Sequence, residues 1–322
     1  MLFLETAFGF LLLFAGGEFL VRSAVALARQ FRVRRALIGL TVVAFGTSLP
    51  EIFVSLKAAL IGAPAIAIGN VVGSNIANVL LVAGLSSVLA TIAFKRGLLQ
   101  RDGIAVLVAT LVFLVVAATG SIPPLIAGAF LLSLVAYVVT SYQAERKNKQ
   151  IADLHAREAE EFPDKRPAWQ NLALLAAGFA GILLGAELLI GGAVEIARLA
   201  GLSEAVIGLT LVAVGTSLPE LATSAVAALR GHGDVAIANI LGSCLFNLCG
   251  ILGVVGMVAP LPVPDEIIRF DNWVLLGVTL GFVLLTARGT RIPRSLGALF
   301  LLGYGAYLAS QFIGISGVNG AG

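Results

Sequence analysis

The sequence predicts an all-α, polytopic membrane protein of ten transmembrane helices in two inverted five-helix repeats. Three observations predict it. The chain of 322 residues is 59% hydrophobic and only 12% charged, with a mean hydropathy of +1.01. A soluble domain carries about twice that charged share. Ten apolar stretches approach or exceed the ~20 residues needed to cross a hydrocarbon core as a helix. Finally, the segment from Ile38 to Gly84 recurs without a gap as Ile207 to Gly253.

The stretches fall, in order, near 5–28, 37–60, 66–91, 102–119, 122–143, 169–198, 206–229, 235–259, 271–287 and 293–314. The first follows MLFLETAFGF, which lacks the basic opening of a cleavable signal, so it is expected to remain as a span. One long polar connection, 144–168, separates a first repeat at 1–143 from a second at 169–322. Glu18 and Glu187, Arg29 and Arg198, Asp102 and Asp271, and Gly128 and Gly297 also recur at the same offset of 169 residues. An odd number of spans in each half makes the second half enter the membrane from the opposite face, an arrangement that places a site between halves near the midplane.

Charge sets the expected orientation. Connections on one side hold Arg29, Arg32, Arg34, Arg35, Lys95, Arg96, Arg101, Arg230, Arg288, Arg291, Arg294 and the basic residues of the linker from Arg146 to Arg166. The other side has little beyond Lys57, Arg198 and Arg269. Loops rich in Lys and Arg stay in the cytoplasm. The linker is therefore expected inside and both termini outside the inner membrane of the cell. The linker's mixed charges read as a solvated, helical connection. A net charge of +3 is too small to point to nucleic acid. Cys244 and Cys249, the only cysteines, do not face each other on a helix and imply no disulfide; His155 and His232 fall in polar connections and read as solvated.

The core of each repeated segment reads GTSLPE, at Gly46–Glu51 and Gly215–Glu220. Helical spacing puts Thr47, Ser48 and Glu51 on one face, and likewise Thr216, Ser217 and Glu220. Pro50 has no N–H, so the Gly46 carbonyl loses its helical donor and the helix bends there. Carbonyls freed at membrane depth survive where protein, water or an ion satisfies them; those of Ala44 and Thr47 lie nearest the bend. The next span adds Ser74 and Asn78, four residues apart, and its copy adds Ser243 and Asn247, with Asn70 and Asn239 further back. An intramembrane carboxylate is a functional candidate by default. Oxygen ligands without thiolate or imidazole at the paired positions favour Na⁺, Ca²⁺ or a related hard cation over zinc or copper. Glu18 and Glu187 stand in Gly-rich first spans without hydroxyl neighbours, which leaves packing, a water-facing position and ion binding open. Asp102 and Asp271 read as helix N-terminal residues.

The two GTSLPE cores, with GNVVGSNIAN at Gly69–Asn78 and ANILGSCLFN at Ala238–Asn247, resemble the sodium/calcium exchanger family of cation/calcium antiporters in its compact prokaryotic form. The resemblance covers nearly the whole chain. It implies ten helices, with spans 2, 3, 7 and 8 forming an ion-binding core and spans 1 and 6 sliding past it. It implies that Glu51 and Glu220 serve both calcium and sodium. By the same resemblance Thr47, Ser48, Thr216, Ser217, Ser74, Ser243, Asn78, Asn247 and the carbonyls of Ala44 and Ala213 contribute ligands. Relatives often carry an aspartate where Asn247 stands, so two formal negative charges remain, which one Ca²⁺ or two Na⁺ neutralise. The expected activity is Na⁺/Ca²⁺ antiport by alternating access, with Na⁺ and Ca²⁺ as substrates, the lipid bilayer as surroundings, no cofactor and no obligate protein partner. The alternatives are proton-coupled cation antiport and a passive channel. An intramembrane hydrolase is remote, because the chain has no HExxH run and both histidines lie in connections.

Overall fold

The computed structural model describes residues 2–31, 33, 35–95, 100–147, 166–199 and 213–318. Three expectations fall outside them: most of the linker with His155, the opening 206–212 of the seventh expected span, and the basic residues Arg32, Arg34 and Arg96.

The described chain is almost entirely helical. Its helices are α1 (Leu2–Gln30), α2 (Arg35–Thr47), α3 (Leu49–Leu60), α4 (Pro64–Leu89), α5 (Gln100–Ala117) and α6 (Pro124–Lys147). After the linker come α7 (Ala168–Leu199), α8 (Ala213–Thr216), α9 (Leu218–Leu229), α10 (Gly233–Val258), α11 (Ile267–Arg288) and α12 (Arg294–Val318). Seven helices among the described residues are long and apolar enough to cross a membrane, and an eighth crossing forms if α2 and α3, bent by 42° at Ser48, count as one span.

Each end of the molecule is marked by a two-residue ladder. Strands β1 (Ile92–Ala93) and β4 (Arg291–Ile292) pair antiparallel at one end, and β2 (Ser121–Ile122) and β3 (Leu261–Pro262) at the other. Helices α5 and α11, which pack together, run between the two ladders. The β1–β4 end is cationic. It holds Lys95, Arg288, Arg291 and Arg294 beside the strands. Gly233 packs on Ala93, and Arg35 bonds His232 one residue before it. The solvated position expected for His232 is corrected: its ring is half-buried, with Arg35 Nη1 3.3 Å from Nδ1.

The two halves touch through reciprocal pairs of positions. Gly9 and Gly178 are equivalents, as are Gly16 and Gly185; Gly16 lies against Gly178, and Gly9 against Gly185. Glycine lets the α1 and α7 backbones approach closely, the usual means by which helices associate in lipid. Helices α3 and α9 end alike: Gly62 (φ +82°) and Gly231 (φ +73°) adopt the left-handed conformation, and Ala63 N–H and His232 N–H each reach back five residues to a carbonyl at 2.8 Å. Glycine is the residue that takes this conformation without steric cost.

Candidate cation site

The GTSLPE segments break their helices at equivalent points. Ser48 (φ −84°, ψ 4°) separates α2 from α3, and Ser217 (φ −87°, ψ 2°) separates α8 from α9. The proline two residues on, at the first turn of the new helix, needs no hydrogen-bond acceptor. The bend expected around the Gly46 carbonyl is thus a break centred on Ser48. Wider π-type turns follow the second motif in both halves, at Asn78–Val82 in α4 and Phe246–Ile251 in α10. Such turns loosen the local carbonyls and recur at functional sites.

The breaks bring both motif glutamates into the interior. Glu51 is 1% exposed and Glu220 fully buried. Ser48 Oγ donates to Glu220 Oε1 at 3.0 Å, Ser243 Oγ approaches the same oxygen at 3.5 Å, and the Thr47 hydroxyl also faces Glu220. Thr47 Oγ1 donates in addition to the Ala44 carbonyl at 3.3 Å, which also accepts from Ser48 N–H at 3.0 Å. Ser74, Asn78, Ser217 and Asn247 are buried as well. Ala213 opens α8, and Thr216 closes it and lines a cavity described below.

Several of these polar atoms have no protein partner among the described residues: Glu51 Oε2, Glu220 Oε2, Ser217 Oγ, and both amide atoms of Asn78 and of Asn247. A buried polar atom left unpaired is costly, and a cluster of them marks a place where something else binds. Two unpaired carboxylate oxygens amid hydroxyls and amides form a hard, oxygen-rich donor set that suits Na⁺ or Ca²⁺.

Asn70 and Asn239 do different work. Asn70 Nδ2 donates to the Glu51 carbonyl (3.3 Å) and to Ser55 Oγ (2.9 Å); Asn239 Nδ2 donates to the Glu220 carbonyl (3.5 Å) and to Ser224 Oγ (3.0 Å). Each clamps the glutamate-bearing helix to its neighbour. Ser55 and Ser224, absent from the sequence reading, stand four residues after each glutamate in both copies, which was the available signal. Asp102 and Asp271 lie beside helix starts as expected, but each also joins two helices: Tyr137 Oη donates to Asp102 at 2.5 Å, and Tyr307 Oη and Gln311 Nε2 donate to Asp271 at 3.0 and 2.7 Å. Cys244 and Cys249 are free and buried, and Cys244 touches the carbonyl of Asn75, its own equivalent in the first half.

The surroundings of the site are not symmetric. A cavity of about 440 Å³ leads from Glu266 and Asp271 at the β2–β3 end past Gly69, Gly73 and Asn70 to Ser74 and Thr216. At the cationic end the equivalent of Gly73, Gly242, is packed against the backbone of Leu40 and the side chain of Ala44. The Phe179 ring of α7 lies directly over Gly46, whereas its equivalent Phe10 is 63% exposed. The site is therefore open toward one end and closed toward the other.

Apolar helices around a buried, oxygen-lined pocket define an integral membrane protein. The chain belongs to the sodium/calcium exchanger family, whose model, sodium/calcium exchanger protein, matches residues 1–143 and 170–313. It is 36% identical to the antiporter-named CaxA of Alkalimonas amylolytica over 93% of this chain and 95% of the relative. It is 34% identical to the sodium/calcium exchanger MaX1 of Methanosarcina acetivorans over 96% of this chain and 98% of that protein. The fold superposes on the sodium-calcium exchanger NCX_Mj, solved after soaking with Na⁺ and Ca²⁺, with a TM-score of 0.81, 33% identity, and coverage of 96% of this chain and 99% of that one.

Proposed function

We propose that the protein exchanges Na⁺ for Ca²⁺ by alternating access, through one site shared by two inverted five-helix repeats, 1–143 and 169–322. The observation that carries this reading is the meeting of Glu51 and Glu220, one from each repeat, in a buried pocket with an unpartnered oxygen on each. Thr47, Ser48, Ser74 and Asn78 would supply ligands from the first half, with Thr216, Ser217, Ser243 and Asn247 from the second and carbonyls from Ala44 and Ala213. The crossed ladders and the reciprocal glycine contacts support the repeat.

The coupling is electrostatic. Two ionised carboxylates crossing the low-dielectric barrier without a counter-ion would carry uncompensated buried charge, which is strongly unfavourable. One Ca²⁺ or two Na⁺ cancels that charge and permits the switch, so each ion moves only in exchange for the other. The concentration of arginines at the β1–β4 end supports a cytoplasmic placement for it. The cavity then opens outward, the linker lies inside, and both termini lie outside the inner membrane.

Reconstituted vesicles test the proposal. A sodium gradient should drive uptake of radiolabelled calcium, and Glu51→Ala or Glu220→Ala should reduce it to the level of empty vesicles. Normal uptake by either variant, or uptake driven by a pH gradient alone, would overturn it.

A further inference from the structure

The motif residues have counterparts in both halves, but one ion pair does not. Glu18 of α1 receives Arg230 through two contacts, Nε to Oε2 at 2.7 Å and Nη2 to Oε1 at 2.6 Å. Arg230 follows directly on α9, the helix that carries Glu220. One turn before that pair, Gly17 of α1 lies against Ala222 and Val226 of α9. The pair therefore ties α1 to the glutamate-bearing core on the cationic side of the site. In the other half Glu187 is exposed, and Ile61 stands where an arginine equivalent to Arg230 would be needed.

We propose that Glu18 and Arg230 are positioning residues forming a one-sided latch, which holds the α1–α7 pair in the register that leaves the site open to the Glu266–Asp271 cavity. The proposal rests on the alternating-access reading, in which α1 and α7 move as a unit against the core. The same register places Phe179 over Gly46 and leaves Phe10 exposed. Both observations close the cationic side and free the other. In the opposite register Phe10 would cover Gly215 and Phe179 would swing clear, while Glu187 would meet Ile61, with only the single ammonium of Lys57, one turn back, in reach. The two registers are thus unequal in one two-nitrogen guanidinium contact, and the inequality favours the one seen. Arg22 also pairs with Glu18 from its own helix. When Arg230 parts from Glu18, Arg22 stays, so the carboxylate never moves through lipid unpaired, and the latch can open.

The test reads the register directly. Val54 lines the cavity. Val54→Cys, on a Cys244→Ser, Cys249→Ser background, is labelled in vesicles with a membrane-impermeant cationic methanethiosulfonate. Glu18→Gln and Arg230→Gln should each lower the ratio of open to closed register by about three- to fivefold, the effect of one partly exposed ion pair, and so slow labelling by up to about two- to threefold. The double variant should be no slower than either single one, and Arg230→Lys, which keeps the charge, should recover most of the rate. Labelling unchanged in both Gln variants, or a rate lost equally in Arg230→Lys, would overturn the latch. If Glu18→Gln fails to elute as a single folded species, Arg230→Gln against Arg230→Lys decides alone. Vesicles that move no calcium against sodium would remove the exchange reading, whereas the labelling ratio reports the latch either way.

Discussion

Ser48 of the first half donates its hydroxyl hydrogen to Glu220 of the second at 3.0 Å, while Ser217, the equivalent of Ser48, makes no such bond to Glu51. A hydrogen bond to a charged group contributes about 1.5–3 kcal/mol. Ser48→Ala should therefore weaken ion binding from the β2–β3 end by roughly tenfold or more. Ser217→Ala should cost less from that end, since it leaves the bond to Glu220 intact and removes only one neutral ligand oxygen. Ion affinities measured from each face of oriented vesicles check the difference, and equal losses from both faces would refute it.

Charge conservation at the site makes a second prediction. Glu51→Gln and Glu220→Gln keep the shape of the side chain but remove one of two negative charges. Each should abolish sodium-driven calcium uptake, and single-ion calcium binding measured calorimetrically should fall by at least about a hundredfold, the loss of one charge-assisted contact in a dry pocket. Binding retained within a few-fold would place the calcium ligands elsewhere.

Closure at the cationic end should be sensitive to a single methyl group. A Cβ on Gly242 would lie 2.4 Å from the Leu40 carbonyl oxygen and 2.6 Å from Ala44 Cβ, whereas a Cβ on Gly73 would meet nothing within 4 Å. Overpacking of this kind costs about 1–3 kcal/mol. Gly242→Ala should lower the melting temperature and transport together, and Gly73→Ala should leave the melting temperature unchanged. Calcium entry into the cavity is then the only step the second variant can slow.

His232, in the turn between α9 and α10, supplies a pH dependence. Burial first, and then the Arg35 guanidinium, hold its imidazole below the ordinary value of 6.5, with Arg29 and Arg230 adding to this and Asp234 opposing it. A group that binds its proton less readily when folded stabilises the fold above its unfolded pKa and loses that contribution as pH falls. Thermal stability should therefore drop as pH is lowered below about 6.5, and His232→Gln should flatten the drop. A profile identical in the two proteins would show that His232 is not the titrating group.

Much of the site was legible because it is written twice. The spacing of Thr47, Ser48 and Glu51, and its copy, assigns a helix face and a break, and Ser48 sits at that break. The polar residues of α4 and α10 were legible for the same reason, although Asn70 and Asn239 turn toward backbone carbonyls and serines. The repeat could not reveal what the halves do not share. Arg230 has no counterpart, so its partnership with Glu18 is invisible to an alignment of one half on the other. Phe179 over Gly46 is hidden differently: a glycine announces a close approach but does not name the visitor. The π-type turns at Asn78 and Phe246 have no one-residue signature, since they depend on how neighbouring helices pack.

The exchanged ladders carry a mechanical consequence. Because β1 is sewn to β4 and β2 to β3, each half fastens the other at both rims, with α5 and α11 as struts between them. A load applied at either face is shared by the whole frame, so neither half can tilt alone. The α1–α7 pair stands outside these ladders, its two helices seated on each other through bare glycine backbone.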